Sequence, residues 1–230
     1  PWMSEYEFTD LPDFAAIEQV LHRIGEKARQ HDLRLTSHPG PFNVLATKNE
    51  NVLQKTIKEL RQHGEIMDLI GLDRTPFAKI NLHVGGAYGD KSSAIDRFCQ
   101  NYALLPDTAR LRLTVENDDK GNMFAIKDLV EIHARTGMPL VFDYLHHQLC
   151  TGGWTEAEAM TTAADTWPAD IRPIVHYSSS RKQFEDDKVP EVAHADYIYQ
   201  YIDLHGREVD VMLEAKAKER AVLRYLEEFS

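Results

Sequence analysis

Apolar and polar positions alternate along the chain in two recurring patterns. Short runs rich in Val, Ile and Leu read as buried strands at 33–38 (LRLTSH), 77–85 (FAKINLHVG), 111–117 (LRLTVEN), 138–146 (MPLVFDYLH), 171–178 (IRPIVHYS) and 209–215 (VDVMLEA). Between them lie stretches with apolar residues at helical spacing, at 14–32, 51–71, 94–105, 125–137 and 156–167. Gly71 and Gly137 stand where helix C-caps belong. The polar run at 179–193 reads as a long loop over one end of the sheet.

The strands start roughly 30 to 45 residues apart, the spacing of repeated βα units with parallel strands. No low-complexity linker interrupts them, so 1–230 reads as a single domain. Six such units do not close a (β/α)₈ barrel, which usually needs ~250 residues. The chain opens on Pro1 rather than methionine. Two more units ahead of it would complete the barrel, so the expectation is a TIM (β/α)8-type barrel, N-terminally incomplete. The alternative, an open doubly wound sheet, has no glycine-rich dinucleotide loop after any strand to support it.

Composition narrows the class. Apolar residues make up 43% and charged residues 27%, as in soluble globular proteins. No apolar run reaches the ~20 residues that span a bilayer, and the opening PWMSEYEF has no signal-peptide pattern. Cys99 and Cys150 are too few for a disulfide scaffold, which points to a reducing cytoplasm. The net charge of −11 argues against a coat of basic residues for generic nucleic-acid binding. Acidic residues gathered around metal ions would contribute to that number without acting as free negative surface.

The chemistry sits where the apolar runs stop. The first ends in His38, the second in His83, the third in Glu116, the fourth in Asp143 with His146 three residues on, the fifth in His176 and the sixth in Glu214. One histidine or carboxylate at a strand end commonly makes a structural hydrogen bond or caps a helix. Six in succession, on strands whose C-terminal ends converge on one mouth, point to a shared metal site. Imidazole and carboxylate suit Zn, Mn or Fe. Carboxylates such as Glu116 and Glu214 can bridge two cations, and clusters of two or three metals serve in-line attack on phosphodiesters. No Ser-His-Asp or Cys-His arrangement competes.

SHPG at 37–40, NLHVGGAYGDK at 81–91, LTVENDD at 113–119, VFDYLHH at 141–147, VHYSSSR at 175–181, HADYI at 194–198 and MLEAKAKE at 212–219 resemble the UV damage endonucleases over nearly the whole chain. The resemblance implies a TIM barrel related to endonuclease IV and the xylose isomerases. It implies a DNA repair enzyme that nicks damaged double-stranded DNA 5′ to cyclobutane pyrimidine dimers and 6-4 photoproducts, with a cluster of manganese or similar divalent ions. Carried across, His38, His83 and Glu116 would hold one ion; Glu116, Asp143, His176 and Glu214 a second; His146 and His194, helped by Asp196, a third. Catalysis then falls to Glu116, Glu214 and His176, in a monomeric cytoplasmic protein with no membrane partner. His147 beside the cluster reads as a supporting residue. His22, His31, His63, His133 and His205 read as ordinary helix or loop residues.

Three departures accompany the resemblance. Ile174 stands two residues before His176, where relatives often carry lysine, so no lysine acts there. Pro41, Phe42 and Asn43 follow the HPG, where relatives often have Gln and an aromatic that push into the duplex. Phe42 can still stack on bases, and Pro41, Phe42 and Asn43 are the expected lesion contacts. The resemblance implies that the family's first strand, first helix and second strand have no counterpart in these 230 residues. Lys48, Lys91, Lys120, Arg181, Lys182, Lys216 and Lys218 follow the strand ends and could neutralise phosphates, although each alone reads as a solvated surface charge. The competing readings are a metal-dependent sugar isomerase or epimerase on the same barrel, needing a deep closed pocket, and a non-catalytic binding module.

Overall fold

The computed structural model describes residues 6–229. The chain divides inside one strand, between Val115 and Glu116, into two compact units.

The first unit carries helix α1 (Phe14–Gln30) and helix α2 (Glu50–Ile70) packed together, strand β1 (Ile80–His83), helices α3 (Lys91–Tyr102) and α4 (Asp107–Arg110), and most of strand β2 (Leu113–Glu116). Helix α2 begins where the Asn49 side chain accepts from the amides of Asn51 and Val52, and ends where Gly71 turns left-handed at φ 80°. Leu53, Leu60 and Met67 form its buried stripe. The end of α2 lies against Gly25 of α1 so closely that a Cβ there would sit 1.7 Å from the Ile70 carbonyl oxygen. Only glycine fits that approach. Arg112, fully buried just before β2, donates to the carbonyls of Gly64, Leu72, Asp73 and Thr108 and pairs with Asp68 at 2.8 Å.

The second unit holds helix α5 (Ile126–Thr136), strand β3 (Leu140–Asp143), helices α6 (Tyr144–Leu149) and α7 (Glu156–Ala164), strand β4 (Ile174–Tyr177), helix α8 (Arg181–Phe184), strand β5 (Asp210–Leu213) and helix α9 (Glu219–Phe229). Strands β3, β4 and β5 pair in parallel, with Asp143 opposite His176 and His176 opposite Met212. Helices α5 and α7 pack on β3. Ile174, in the place of the relatives' lysine, is buried with Val141 and Trp167, and Ile171 packs against them. That position therefore serves apolar packing in this chain.

The five expected helices are present, with ends a few residues from those read off the sequence, and Gly71 and Gly137 are left-handed caps as expected. Every expected strand is shorter in the structure, with β1 to β5 spanning four residues each, and two of the six show why. The segment 33–38 is reduced to a single parallel bridge between Ser37 and Ile80. Leu33 is exposed, and Pro39 follows directly, so the segment has neither a buried apolar face nor the amides for a longer ladder. The run 138–146 stops at Asp143 because its carboxylate accepts from the His146 amide and starts α6. The polar 179–193 segment is not wholly a loop. It contains α8, and Ser180 bridges His194 in an antiparallel pair.

Candidate metal centre

In the first unit the two expected histidines come together. His38 follows the Ser37 bridge, His83 ends β1, and their ring centroids lie 5.7 Å apart. His38 is exposed and His83 half-buried, with His38 Nδ1 placed 3.2 Å from the Pro39 carbonyl.

The second unit gathers the carboxylates. Glu116 ends β2, Asp143 ends β3 and His176 lies in β4, all three buried, with one ligand atom from each within 4.8 Å of the others. His176 Nδ1 stands 3.1 Å from Glu214 Oε1 and 3.3 Å from Glu116 Oε1. His146, on the first turn of α6, places Nδ1 3.4 Å from Glu116 Oε1 and 3.8 Å from Asp143 Oδ1. His194 Nδ1 lies 3.7 Å from Glu214 Oε2. The chain after Glu214 is tied to the His194 loop by backbone hydrogen bonds from Lys216 to Ala195 and from Ala217 to Asp196. Asp196 itself is exposed, its amide held by the Glu185 carboxylate.

Charges at these separations perturb one another. Burial raises Asp143 from 3.8 to about 7, with the Glu116 charge adding to the rise against the pull of His146 and His176. Burial also raises Glu214, but hydrogen bonding and charge from His176 outweigh it, and Glu214 ends below its ordinary value. Burial lowers His146, yet the charges of Asp143 and Glu116 carry it above the ordinary range. His194 is lowered, first by burial.

The Asp143 carboxylate has a protein partner on one oxygen only, the His146 amide donating to Oδ1 at 2.7 Å. Asp143 Oδ2 is buried and accepts no hydrogen bond among the described residues. An ionised carboxylate in that state is costly unless a cation reaches it. The donor set, imidazoles and carboxylates without thiolate, fits a hard-to-intermediate divalent metal.

A residue the sequence reading missed organises this corner. Asn117, fully buried after Glu116, accepts from the Asp143 amide at 2.8 Å and donates to the Asp143 carbonyl at 3.0 Å. Its carbonyl lies 3.0 Å from His146 Nδ1, which fixes that ring. The only signal was its place inside Glu116-Asn117-Asp118, a run that reads equally well as a cap or a loop.

Of the three expected lesion contacts, Phe42 is 79% exposed and Pro41 is exposed, while Asn43 is buried at 5%. The Asn43 amide donates to the Gly40 carbonyl and to Glu59 Oε1, so its side chain is committed to the loop itself. Among the basic residues, Lys182 pairs with Glu191, Arg181 stands 3.7 Å from Glu185, and the Lys48 ammonium lies 5.1 Å over the Tyr88 ring. His147 is buried against the Phe142 ring. His63, His133 and His205 bond to Ser37, Met138 and Glu156.

Parallel strands alternating with helices, with histidines and carboxylates at the strand C-termini, define an α/β protein of the TIM-barrel type with a candidate metal centre. The fold agrees with the crystal structure of SacUVDE, which superposes with a TM-score of 0.82 at 31% identity over 99% of this chain and 77% of that one. Endonuclease IV from Thermus thermophilus shares the fold alone, with a TM-score of 0.59 at 15% identity over 95% of this chain and 83% of that one. The sequence profile of the UV-endonuclease UvdE family matches residues 7–230. The chain belongs to that family. The UV DNA damage endonuclease of Bacillus cereus strain B4264 is 32% identical over 212 residues, covering 90% of this chain and 66% of the relative. The chain thus spans just under two thirds of that relative's length.

Proposed function

We propose that the protein is a DNA repair endonuclease that cuts double-stranded DNA 5′ to UV photoproducts, cyclobutane pyrimidine dimers and 6-4 photoproducts, by metal-dependent hydrolysis. The observation that carries the reading is the buried Glu116–Asp143–His176 group with its unmatched Asp143 oxygen, in a chain of this family. The proposed ligands are His38, His83, Glu116, Asp143, His146, His176, His194 and Glu214, serving two or three divalent ions, manganese as the family resemblance implies, with zinc or magnesium as alternatives. That these eight share one centre rests on the order of strand-end residues in the sequence and on the family's motifs.

A bound divalent ion would supply a hydroxide at neutral pH and offset the charge that develops on the phosphoryl oxygens. The chain's own residues prepare for this. Glu116 and Glu214 flank His176 and set its ring, and Asn117 holds Asp143 and His146 in register. Phe42, exposed at its loop, can stack where pairing is already disturbed, since a weakened base step costs less to open. The lesion is then selected by deformability, which suits a protein of negative net charge. Among the described residues no helix is long and apolar enough to cross a membrane. The proposed setting is the cytoplasm, with the protein acting on DNA as a monomer.

The test is nicking of a duplex carrying one site-specific dimer, by this chain with Mn²⁺ and with EDTA. Cleavage 5′ to the dimer that EDTA abolishes is expected. No cleavage under conditions where a control UV endonuclease cuts would overturn the reading.

A further inference from the structure

Phe42 is the most exposed of the large apolar side chains among the described residues, yet the loop that bears it is tightly held. Gly40, Pro41, Phe42 and Asn43 form a turn closed by the Asn43 amide donating to the Gly40 carbonyl at 3.1 Å. Pro41 takes the first corner, where its fixed φ presets the turn, and Phe42 the second. The rest of the loop makes no sheet ladder beyond the Ser37 bridge, so its polar groups are met by side chains. Thr56, Glu59 and His63, spaced to share one face of α2, take the Val44 amide at 3.2 Å, the Asn43 side-chain amide at 2.9 Å and the Ser37 hydroxyl at 2.8 Å. From α3, Asn101 and Arg97 donate to the carbonyls of Leu45 and Ala46 at 2.7 and 2.8 Å.

Within this framework the Asn43–Glu59 bond is the one that bears directly on the turn. The Asn43 side chain joins the Gly40 carbonyl, at one end of the turn, to a charged acceptor on a long helix. A hydrogen bond to a charged acceptor is about twice as strong as a neutral one. Without it, the turn keeps only the neutral bonds from Asn43 to the Gly40 carbonyl and loses its tie to α2, so Phe42 samples more orientations.

We propose that Asn43 and Glu59 are positioning residues that lock the Gly40–Asn43 turn and hold Phe42 outward as a preformed wedge. This rests on the reading of the protein as a nuclease of damaged DNA. Holding the ring in its bound position before DNA arrives removes an ordering cost from binding at the lesion and leaves binding to intact duplex unaffected. Asn43 therefore acts on lesion recognition through Phe42, without itself touching DNA.

The experiment measures binding of the Mn²⁺-loaded protein to a dimer-containing duplex and to its undamaged counterpart, for wild type, Glu59→Ala, Glu59→Gln, Phe42→Ala and the Glu59→Ala/Phe42→Ala double variant. Alanine is well tolerated in a helix, so Glu59→Ala keeps the fold, and hydrogen exchange of residues 37–46 reads the order of the loop independently of binding. Glu59→Ala is expected to lower the preference for the dimer about tenfold and to speed exchange in the loop. Glu59→Gln, which keeps a neutral acceptor, restores part of both, and the double variant matches Phe42→Ala alone. If Glu59→Ala weakens both duplexes equally, or adds its full effect on top of Phe42→Ala, the residue is merely structural and the proposal fails. If Glu59→Ala proves unstable, Asn43→Ala takes its place with the same expected pattern. A wild-type protein with no preference for the dimer overturns the nuclease reading and the wedge with it. A wild type that has the preference, with the two effects additive, overturns the clamp alone.

Discussion

Two strand-end regions of this protein solve opposite problems. The loop at 37–46 exposes a large apolar ring while its polar groups find partners on helices. The Glu116–Asp143–His176 corner buries its charged groups and leaves a carboxylate oxygen without a protein partner. An exposed aromatic costs the fold little and gives binding surface. Buried carboxylates are costly in the free protein, where a proton or a nearby histidine offsets the charge in part and a cation would offset it further. The first region is arranged for shape, the second for charge. Substitutions in the two should therefore fail differently, the second through metal and turnover, the first through the choice of DNA.

The sharpest break comes from Glu116→Ala. It removes the carboxylate facing both His146 and His176, and nicking should fall by more than the ~10–100-fold that loss of a supporting residue produces. The circular dichroism spectrum should be unchanged. Retained nicking would sink the assignment of Glu116. His83→Ala should behave alike, which tests whether the histidines of the first unit serve the same chemistry.

Asn117→Ala comes next. The Asp143 backbone and the His146 ring lose their hydrogen-bonded support, and metal affinity should drop by about 10–100-fold, the range for residues that orient ligands. Titration with Mn²⁺ measures it. An unchanged affinity would show that strand pairing alone positions Asp143.

What could be read in advance follows from this difference. A histidine or carboxylate at the end of an apolar run is out of keeping with its surroundings, so His38, His83, Glu116, Asp143, His176 and Glu214 stand out in the sequence. His194 does not, because no strand leads to it, and only the motif HADYI draws attention to it. Glu59 and Asn117 are invisible for the opposite reason. Polar residues are ordinary on a helix face or after a strand, and what makes these two matter is a partner fixed by tertiary packing. The helices are legible because their apolar spacing is long. The strand at 33–38 is overread because its alternation is real, while its pairing depends on neighbours that no local pattern reveals. Helix α9 carries a comparable signal in ERAVLRYLEEF, which lies beyond the last strand-end carboxylate and is absent from the expected helices.

Phe42→Ala tests the shape side. Stacking of a base on an aromatic contributes ~1–3 kcal/mol, so affinity for a dimer-containing duplex should fall by about tenfold or somewhat more, with Mn²⁺ affinity untouched. Fluorescence anisotropy with labelled duplexes reads the first and metal titration the second. Loss of metal affinity in this variant would erase the distinction between the two regions.

The smallest effect concerns protons. Asp143 is raised from 3.8 to about 7, chiefly by burial, so at pH 7 the metal-free protein is partly protonated there while the unfolded chain is not. A folded-state value above the unfolded one means that stability from this group is fully present below the unfolded value and declines as pH rises towards 7. Metal binding requires the ionised carboxylate and must expel that proton. Calorimetric titration of Mn²⁺ at pH 7, in two buffers of different ionisation enthalpy, should show net proton release. Affinity should weaken as pH falls below 7, by at most about tenfold per pH unit for one proton. Asp143→Asn removes the group, so its residual binding should release less. Equal release by both proteins would place the displaced proton elsewhere in the cluster, on His146, which the same carboxylates hold above its ordinary range.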